Sequence, residues 1–406
     1  MTIGIRTEAG KRAAAPGVAR HQSLPKGADP DAPLLVVDDL TTYFRLDGGT
    51  VKAVDGVSFT LDHGEALGIA GESGCGKTTT ALSLVRLLPS NARIVKGTVK
   101  MYGVDLVAKS DRALRRYRWR EISIVFQGAM NALNPVRRIE EQIAEPIEVR
   151  LSVDHKTAVR RAGELLELVG IPRRRGRAYP HELSGGMRQR AMIAMALACN
   201  PAIVIGDEPT TALDVMVQAQ ILELLERLRK ELGLSLILIT HDLSVIAETC
   251  DRVLIMYAGK VAEEGSVGRV FREPRHPYTQ KLLRAFPNIH SDRRNLEVIP
   301  GSPPDLRHPP AGCRFHPRCS FAMEVCRTEV PPEVTFSDGV RVACHLYPPG
   351  SDGVPVTVPP PNAIGATMSE VGPIPGEEGE IVVPAEGPIL GAGPASADRD
   401  SDDRLL

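Results

Sequence analysis

Gly71-Glu72-Ser73-Gly74-Cys75-Gly76-Lys77-Thr78-Thr79 is the stretch whose reading decides the fold. An apolar run from Glu65 to Ala70 precedes it and reads as a buried strand. Thr80-Ala81-Leu82-Ser83-Leu84-Val85-Arg86-Leu87-Leu88 follows with the apolar spacing of a helix. Strand, glycine-rich loop and helix together are the setting that a phosphate-binding loop requires. Glycines at 71, 74 and 76 let backbone N–H groups turn inward around an anion, where a Cβ would block the approach. The positive end of the following helix faces the same anion. Lys77 is then placed to reach the β- and γ-phosphates of a nucleotide, and the Thr78 hydroxyl to ligate its Mg²⁺. Ser73 and Thr79 complete the expected cradle.

With 406 residues the chain has room for a large core and more than one domain. Lys plus Arg number 49 against 50 Asp plus Glu, so no global charge selects nucleic acid or an anionic surface. A hydrophobic content of 43% suits a soluble globular protein, and no apolar run nears the roughly 18 residues of a membrane span. The basic N-terminus carries no apolar segment of the secretory kind, so a cytoplasmic setting is expected. There a disulfide framework is not expected, and the seven cysteines need another account.

Outward from the loop the chain alternates between strand and helix patterns. Residues 1–33 show no periodicity and read as a disordered tail. Leu34 to Phe44 and Val51 to Leu61 read as strands joined through Asp47-Gly48-Gly49. Gly97 to Met101 and Ile122 to Phe126 read as further strands. Between about 128 and 185 the strand signals stop, and Lys156 to Val169 is strongly helical in period, which predicts a helical insertion. Ala202 to Gly206, Leu234 to Thr240 and Arg252 to Tyr257 read as buried strands, with Val215 to Leu232 an amphipathic helix between. This alternation predicts an α/β fold with a parallel sheet covered by helices, spanning 34–265. From 266 to 348 proline, aromatics and cysteines predict a loop-rich C-terminal domain. The Pro/Gly-rich acidic stretch 349–406 reads as a second disordered tail.

Asp207 and Glu208 follow the apolar run Ala202 to Gly206, at the carboxyl end of a parallel strand, where open α/β sheets bind ligands. One carboxylate, Asp207, is suited to hold Mg²⁺ and the next, Glu208, to orient and deprotonate an attacking water. Leu183-Ser184-Gly185-Gly186-Met187-Arg188-Gln189-Arg190 supplies a second anion site, a Ser-Gly-Gly turn opening a long helix.

Taken with Lys77, Asp207 and Glu208, that octapeptide resembles the signature of ATP-binding cassette ATPases. The resemblance covers about Leu34 to Gly265 in the family's motif order. It implies a head-to-tail dimer in which Ser184, Gly185 and Gly186 close on ATP held by the partner's phosphate loop. It also implies that Gln127 contacts Mg²⁺, His241 contacts the γ-phosphate, and Asp214 links the two sites across the dimer. Phe44, or its neighbour Tyr43, is implied to stack on the adenine. Without the resemblance each of these reads as an ordinary residue. Cys199 and Cys250 read as small core residues, and Cys75 occupies a variable loop position.

Two stretches resemble the ATPases of oligopeptide and dipeptide importers. One is Phe126-Gln127-Gly128-Ala129-Met130-Asn131-Ala132-Leu133-Asn134-Pro135, in which Gly128-Ala129 replaces the Asp-Pro common in that branch. The other is Arg275-His276-Pro277-Tyr278-Thr279-Gln280-Lys281-Leu282-Leu283, followed by Ile299-Pro300-Gly301-Ser302-Pro303-Pro304. The branch implies peptide uptake, with nickel or oligosaccharide import as the alternative. It implies as partners a homologous second ATPase, two integral-membrane permease subunits and an extracytoplasmic substrate-binding protein, with this chain on the cytoplasmic face of the membrane. A cassette ATPase acting on nucleic acid or ribosomes is the rival, but no second cassette, coiled-coil insertion or basic surface is visible.

Cys313, Cys319, Cys326 and Cys344 stand with 5, 6 and 17 residues between successive members. Four thiolates in a short segment suit a tetrahedral zinc or an iron–sulfur cluster. The C-x₂-C pairs of zinc ribbons are absent, and the branch resemblance points to a 4Fe–4S cluster, with zinc as the alternative. His316 and His345 stand beside these cysteines as substitute ligands.

Overall fold

The structure is a computed structural model that describes residues 24–25, 27–128, 132–211, 213–285, 299–350 and 355, all within one compact unit. Two glycines after Asp47 allow a tight reversal, so β1 (Leu35–Leu46) and β2 (Gly49–Leu61) form an antiparallel hairpin. β3 (Ala66–Ala70) then runs into the glycine-rich loop, and the loop into α1 (Lys77–Leu84). The helix begins at Lys77, three residues earlier than its apolar spacing predicts, because the loop closes directly onto the first helical turn. β4 (Ala92–Met101) and β5 (Val104–Asp105) return to the hairpin and complete a four-stranded sheet of order β2-β1-β4-β5.

The second sheet carries the chemistry. β6 (Ile122–Val125) precedes two helices, α2 (Ile139–Leu151) and α3 (His155–Leu168), which occupy the region where strand signals stop. α4 (Gly185–Ala196) leads back to β7 (Ile203–Asp207), α5 (Val215–Leu232) to β8 (Ser235–Ile239), and α6 (Leu243–Thr249) to β9 (Arg252–Tyr257). β9 turns into β10 (Lys260–Ser266). Short helices α7 (Val267–Arg272) and α8 (Pro277–Arg284) follow, then β11 (Glu333–Thr335) and β12 (Arg341–Ala343). The order is β11-β12-β10-β9-β3-β8-β7-β6, with β9, β3, β8, β7 and β6 parallel.

Side-chain alternation explains why both faces of the parallel strands are covered. Ile203, Ile205, Ile237 and Ile239 point toward α1 and the antiparallel sheet, burying Leu35, Val57 and Leu84 with them. Val204, Leu236 and Leu238 point the other way, into a core shared with Ile143, Leu165, Met192 and Ile221 of the helices. Each fully buried side chain of this size contributes about 1.5–3 kcal/mol.

The C-terminal part differs from its expectation as a separate loop-rich domain. β12 pairs with β10, Glu263 opposite Val342 and Glu264 opposite Arg341, so this part extends the main sheet. Runs of three residues are too short to display alternation, which is why neither β11 nor β12 is visible in the sequence. The expected tails lie, over 1–23, 26, 351–354 and 356–406, outside the described residues. Asp29, also placed in the N-terminal tail, donates its N–H to the Tyr102 carbonyl at 3.0 Å. Ala129 to Asn131 and Ala212 also lie outside the described residues.

Candidate functional site

Two glycines of the phosphate loop, Gly71 and Gly76, meet steric limits that only their missing side chains satisfy. A Cβ on Gly71 would lie 2.1 Å from the Met256 carbonyl oxygen, and one on Gly76 2.2 Å from that of Ala53. Both take positive φ, 149° and 108°. The loop thereby packs between β9 and β2 and presents its backbone to a cleft of about 720 Å³. Ser73, Gly74, Gly76, Lys77, Thr78, Thr79, Gln127, Glu208 and His241 line the cleft. Phe44, Leu46, Val51, Ala53 and Leu306 line it as well.

Lys77 is buried, and its ammonium donates to the Gly71 carbonyl at 2.7 Å and to that of Glu72 at 3.1 Å. Thr78 Oγ1 donates to Asp207 Oδ1 at 3.1 Å, joining the loop to the end of β7. Burial pushes the Asp207 carboxyl above its ordinary range, and the negative Glu208 adds to this, while the Thr78 bond and Lys77 oppose it. A divalent cation beside Thr78 and Asp207 would remove that cost, so the donor set fits Mg²⁺.

Glu208 takes a left-handed backbone, φ 48°, which residues other than glycine rarely adopt. Its Oε2 accepts from Gln127 Nε2 at 2.7 Å and from Thr211 Oγ1 at 2.9 Å. Its Oε1 meets His241 Nδ1 at 3.3 Å. Strands β6, β7 and β8 thus bring Gln127, Glu208 and His241 together at their carboxyl ends.

Phe44 and Tyr43, neighbours on β1, face opposite sides of the strand. Phe44 lines the cleft, whereas Tyr43 points away and donates its hydroxyl to Asp55 Oδ1 at 2.7 Å. Ser184, Gly185 and Gly186 do not line this cleft. Ser184 is exposed and caps α4, its Oγ accepting from the Met187 N–H at 3.3 Å. Gly186 packs against α5, where a Cβ would lie 2.7 Å from Val217 Cγ1. Asp214 is exposed and caps α5, accepting from the Val217 N–H at 2.9 Å.

The four C-terminal cysteines are partly or wholly buried, and Cys313, Cys319 and Cys344 each have neighbours in the group close enough to raise their affinity for protons. Burial, then this mutual repulsion, lifts Cys344 far above an ordinary thiol and Cys313 to about 11. Yet no three His, Cys, Asp or Glu side chains among the described residues are arranged to hold a metal ion, so the expected centre gains no support from this geometry. His316 Nδ1 faces the Cys313 carbonyl at 2.9 Å, and His345 Nε2 that of Glu329 at 2.9 Å. One nitrogen of each imidazole is thus engaged with backbone.

Three contacts to the site come from residues that the sequence reading did not single out. Tyr278 Oη accepts the Glu72 N–H at 2.9 Å, Arg318 pairs with the Glu72 carboxylate, and Leu306 enters the cleft. Tyr278 lies in the quoted stretch Arg275 to Leu283 but served there only as a branch marker. The other two carry no local signal.

A phosphate loop feeding α1, carboxylates at the end of β7 and a helical insertion define a nucleotide-hydrolysing cassette ATPase. The family model described as "ABC transporter" matches residues 54–211, and that described as "Oligopeptide/dipeptide transporter, C-terminal region" matches 262–326. A probable peptide ABC transporter ATP-binding protein of Sinorhizobium fredii is 48% identical over 322 residues, 78% of this chain and 96% of its own length. The oligopeptide transport ATP-binding protein OppD of Bacillus subtilis is 46% identical over 342 residues, 83% and 94% of the two chains. A solved dimeric ATP-binding cassette, in a post-hydrolysis state with ADP and Pi, superposes with TM-score 0.52 at 28% identity, over 57% of this chain and 98% of its own. The chain belongs to the ATP-binding subunits of the oligopeptide/dipeptide ABC transporters, and it is an ATPase. Among the described residues no helix is long and apolar enough to cross a membrane.

Proposed function

We propose that the cleft between the phosphate loop and the ends of β6, β7 and β8 binds MgATP and that Glu208 activates the attacking water. The observation that carries this is the convergence of two side-chain pairs on one cleft. Thr78 with Asp207, and Gln127 with Glu208, stand beside Lys77. Thr78, Asp207 and Gln127 would hold Mg²⁺, which when bound neutralises charge on the β- and γ-phosphates. Gly71, Ser73, Gly74, Gly76 and Thr79 wrap the phosphates, Lys77 neutralises them, His241 contacts the γ-phosphate and Phe44 stacks on the adenine.

The chain is the ATP-hydrolysing subunit of a peptide importer and works with membrane permease subunits as part of a dimer. The homologues' names favour peptides over nickel or oligosaccharide. Ser184, Gly185, Gly186 and Asp214 serve the ATP held by a homologous second subunit, arranged head to tail. Their position outside this chain's own cleft supports that reading, as does the dimeric state of the solved cassette. An extracytoplasmic binding protein delivers the peptide, and this chain sits on the cytoplasmic face of the membrane.

Cys313, Cys319, Cys326 and Cys344 would hold a 4Fe–4S cluster, with zinc the alternative. The ground for this reading is the spacing of the four cysteines in one short segment. The lack of a three-ligand grouping weighs more heavily against a single ion, since a four-iron cluster spreads its thiolates over a wider cage.

Purification from solubilised membranes tests the assignment. This chain should bring down two integral-membrane subunits and a second ATPase, and peptide with its binding protein should stimulate ATP hydrolysis. Stimulation by RNA, without membrane partners, would overturn it.

A further inference from the structure

Glu72 is the second residue of the phosphate loop, and the C-terminal part holds it from two sides. Its N–H donates to the hydroxyl of Tyr278, which is fully buried against Tyr257 and Phe315. Its carboxylate receives both arms of the Arg318 guanidinium, Nη1 to Oε2 at 2.6 Å and Nη2 to Oε1 at 3.0 Å. Arg318 is itself fixed. Its side chain is 6% exposed, its Nε donates to the Pro300 carbonyl at 2.8 Å, and its Nη1 donates to Tyr257 Oη at 3.2 Å. A two-armed charge pair with its guanidinium buried sets orientation as well as attraction.

The geometry passes directly to the nucleotide-binding lysine. Lys77 donates to the carbonyls of Gly71 and Glu72, so the orientation of the 71–72 backbone sets where its ammonium rests. Leu306 lines the same cleft, as do Phe44, Leu46 and Val51. Its carbonyl accepts the Lys52 N–H of β2 at 2.9 Å, which pins it there.

We infer that the C-terminal segment 299–319 is part of the ATP site of this chain. Arg318 is a positioning residue for the phosphate loop, and Leu306 is an apolar contact on the base side. The segment therefore sets the affinity for ATP and not the chemical step, because Gln127, Glu208 and His241 take nothing from it. This inference rests on the reading of the cleft as the ATP site.

The test uses the full chain, with direct titration by MgATP, and the assembled transporter for steady-state kinetics. Arg318→Met is expected to weaken MgATP binding and raise KM for ATP about tenfold. The loss in kcat should be much smaller than the rise in KM. Arg318→Lys, which keeps the charge and loses the fork, should fall between. Leu306→Ala should raise KM severalfold by itself, and it serves if Arg318→Met does not fold. Exchanging the partners, Glu72→Arg with Arg318→Glu, should recover part of the lost affinity. Lys77→Ala is the control for the cleft itself. If Lys77→Ala weakens binding while folded Arg318 and Leu306 variants bind MgATP as the parent does, the inference is overturned and the ATP-site reading stands. If Lys77→Ala has no effect either, the ATP-site reading fails with it. A fall in kcat at unchanged KM in Arg318→Met also overturns the inference.

Discussion

Gln127 and Glu208 meet across the carboxyl ends of two neighbouring strands, the Gln127 Nε2 amide donating to Glu208 Oε2 at 2.7 Å. With Thr211 on the same oxygen and His241 on the other, the carboxylate is oriented before any water reaches it. A general base needs that fixed direction. Glu208→Gln should therefore slow ATP hydrolysis by about 10²–10⁴-fold, or roughly 3–5 kcal/mol of barrier. MgATP binding should survive, because Lys77, Thr78 and Asp207 are untouched. Turnover and nucleotide affinity measured on the assembled complex check this. Affinity falling in step with turnover would make Glu208 a structural or metal residue instead.

The two anion sites should separate by substitution. Lys77 lies inside the cleft, while Ser184 caps α4 outside it. Lys77→Ala should weaken ATP binding to this chain. Ser184→Arg should leave that binding intact and block ATP-driven closure of the dimer, followed by cross-linking or light scattering. Loss of nucleotide binding by the isolated Ser184→Arg chain would contradict the head-to-tail arrangement.

The parts of the site legible in the sequence are those whose chemistry is local. The loop is one continuous run, and Asp207 and Glu208 follow a strand whose apolar residues announce its burial. That Phe44 rather than Tyr43 faces the cleft follows from the period of β1, once the strand's facing is known. The division into two sheets was not legible, because strand partners lie far apart and pairing leaves no periodic trace. The same holds for Arg318 and Glu72, which are 246 residues apart. Nothing near either residue marks the other. For the cysteines the order was the reverse. Their spacing suggested a centre that the side-chain geometry does not gather around one ion.

Stability should carry an unusual dependence on pH at β10. Glu263 is fully buried, accepting the N–H groups of Arg275 at 2.8 Å and His276 at 2.9 Å, and burial raises its pKa to about 7. A carboxyl raised in the folded state stabilises fully below its unfolded pKa of about 4.3 and loses that contribution as pH rises toward 7. His276 works in the opposite sense. Burial lowers its pKa to about 3, so its contribution is present above about 6.5 and lost as pH falls. Glu263→Gln should thus gain stability relative to the parent between pH 5 and 8, by on the order of 2–3 kcal/mol. Urea unfolding of both proteins at several pH values measures it. Parallel curves would show that Glu263 keeps its charge throughout.

The cysteine group makes the last prediction. Four neighbouring thiols in one segment suit a shared tetrahedral metal or an iron–sulfur centre. Burial raises the cost of a free thiolate at Cys313, Cys319 and Cys344, and their neighbours raise it further, so a cationic centre would relieve both at once. Protein purified without oxygen should be brown, with about four iron and four sulfide per chain. Cys319→Ser should remove the iron and open the 299–350 segment to protease. Hydrolysis should persist, because Lys77, Asp207 and Glu208 take no contact from a cysteine of this group. KM for ATP should nevertheless rise, since Arg318 adjoins Cys319 and holds Glu72. One zinc and no iron would favour the alternative centre. Four alkylatable thiols with neither metal would remove the metal site altogether and leave Arg318 held by Glu72, Tyr257 and the carbonyls of Ile299, Pro300 and Gly301.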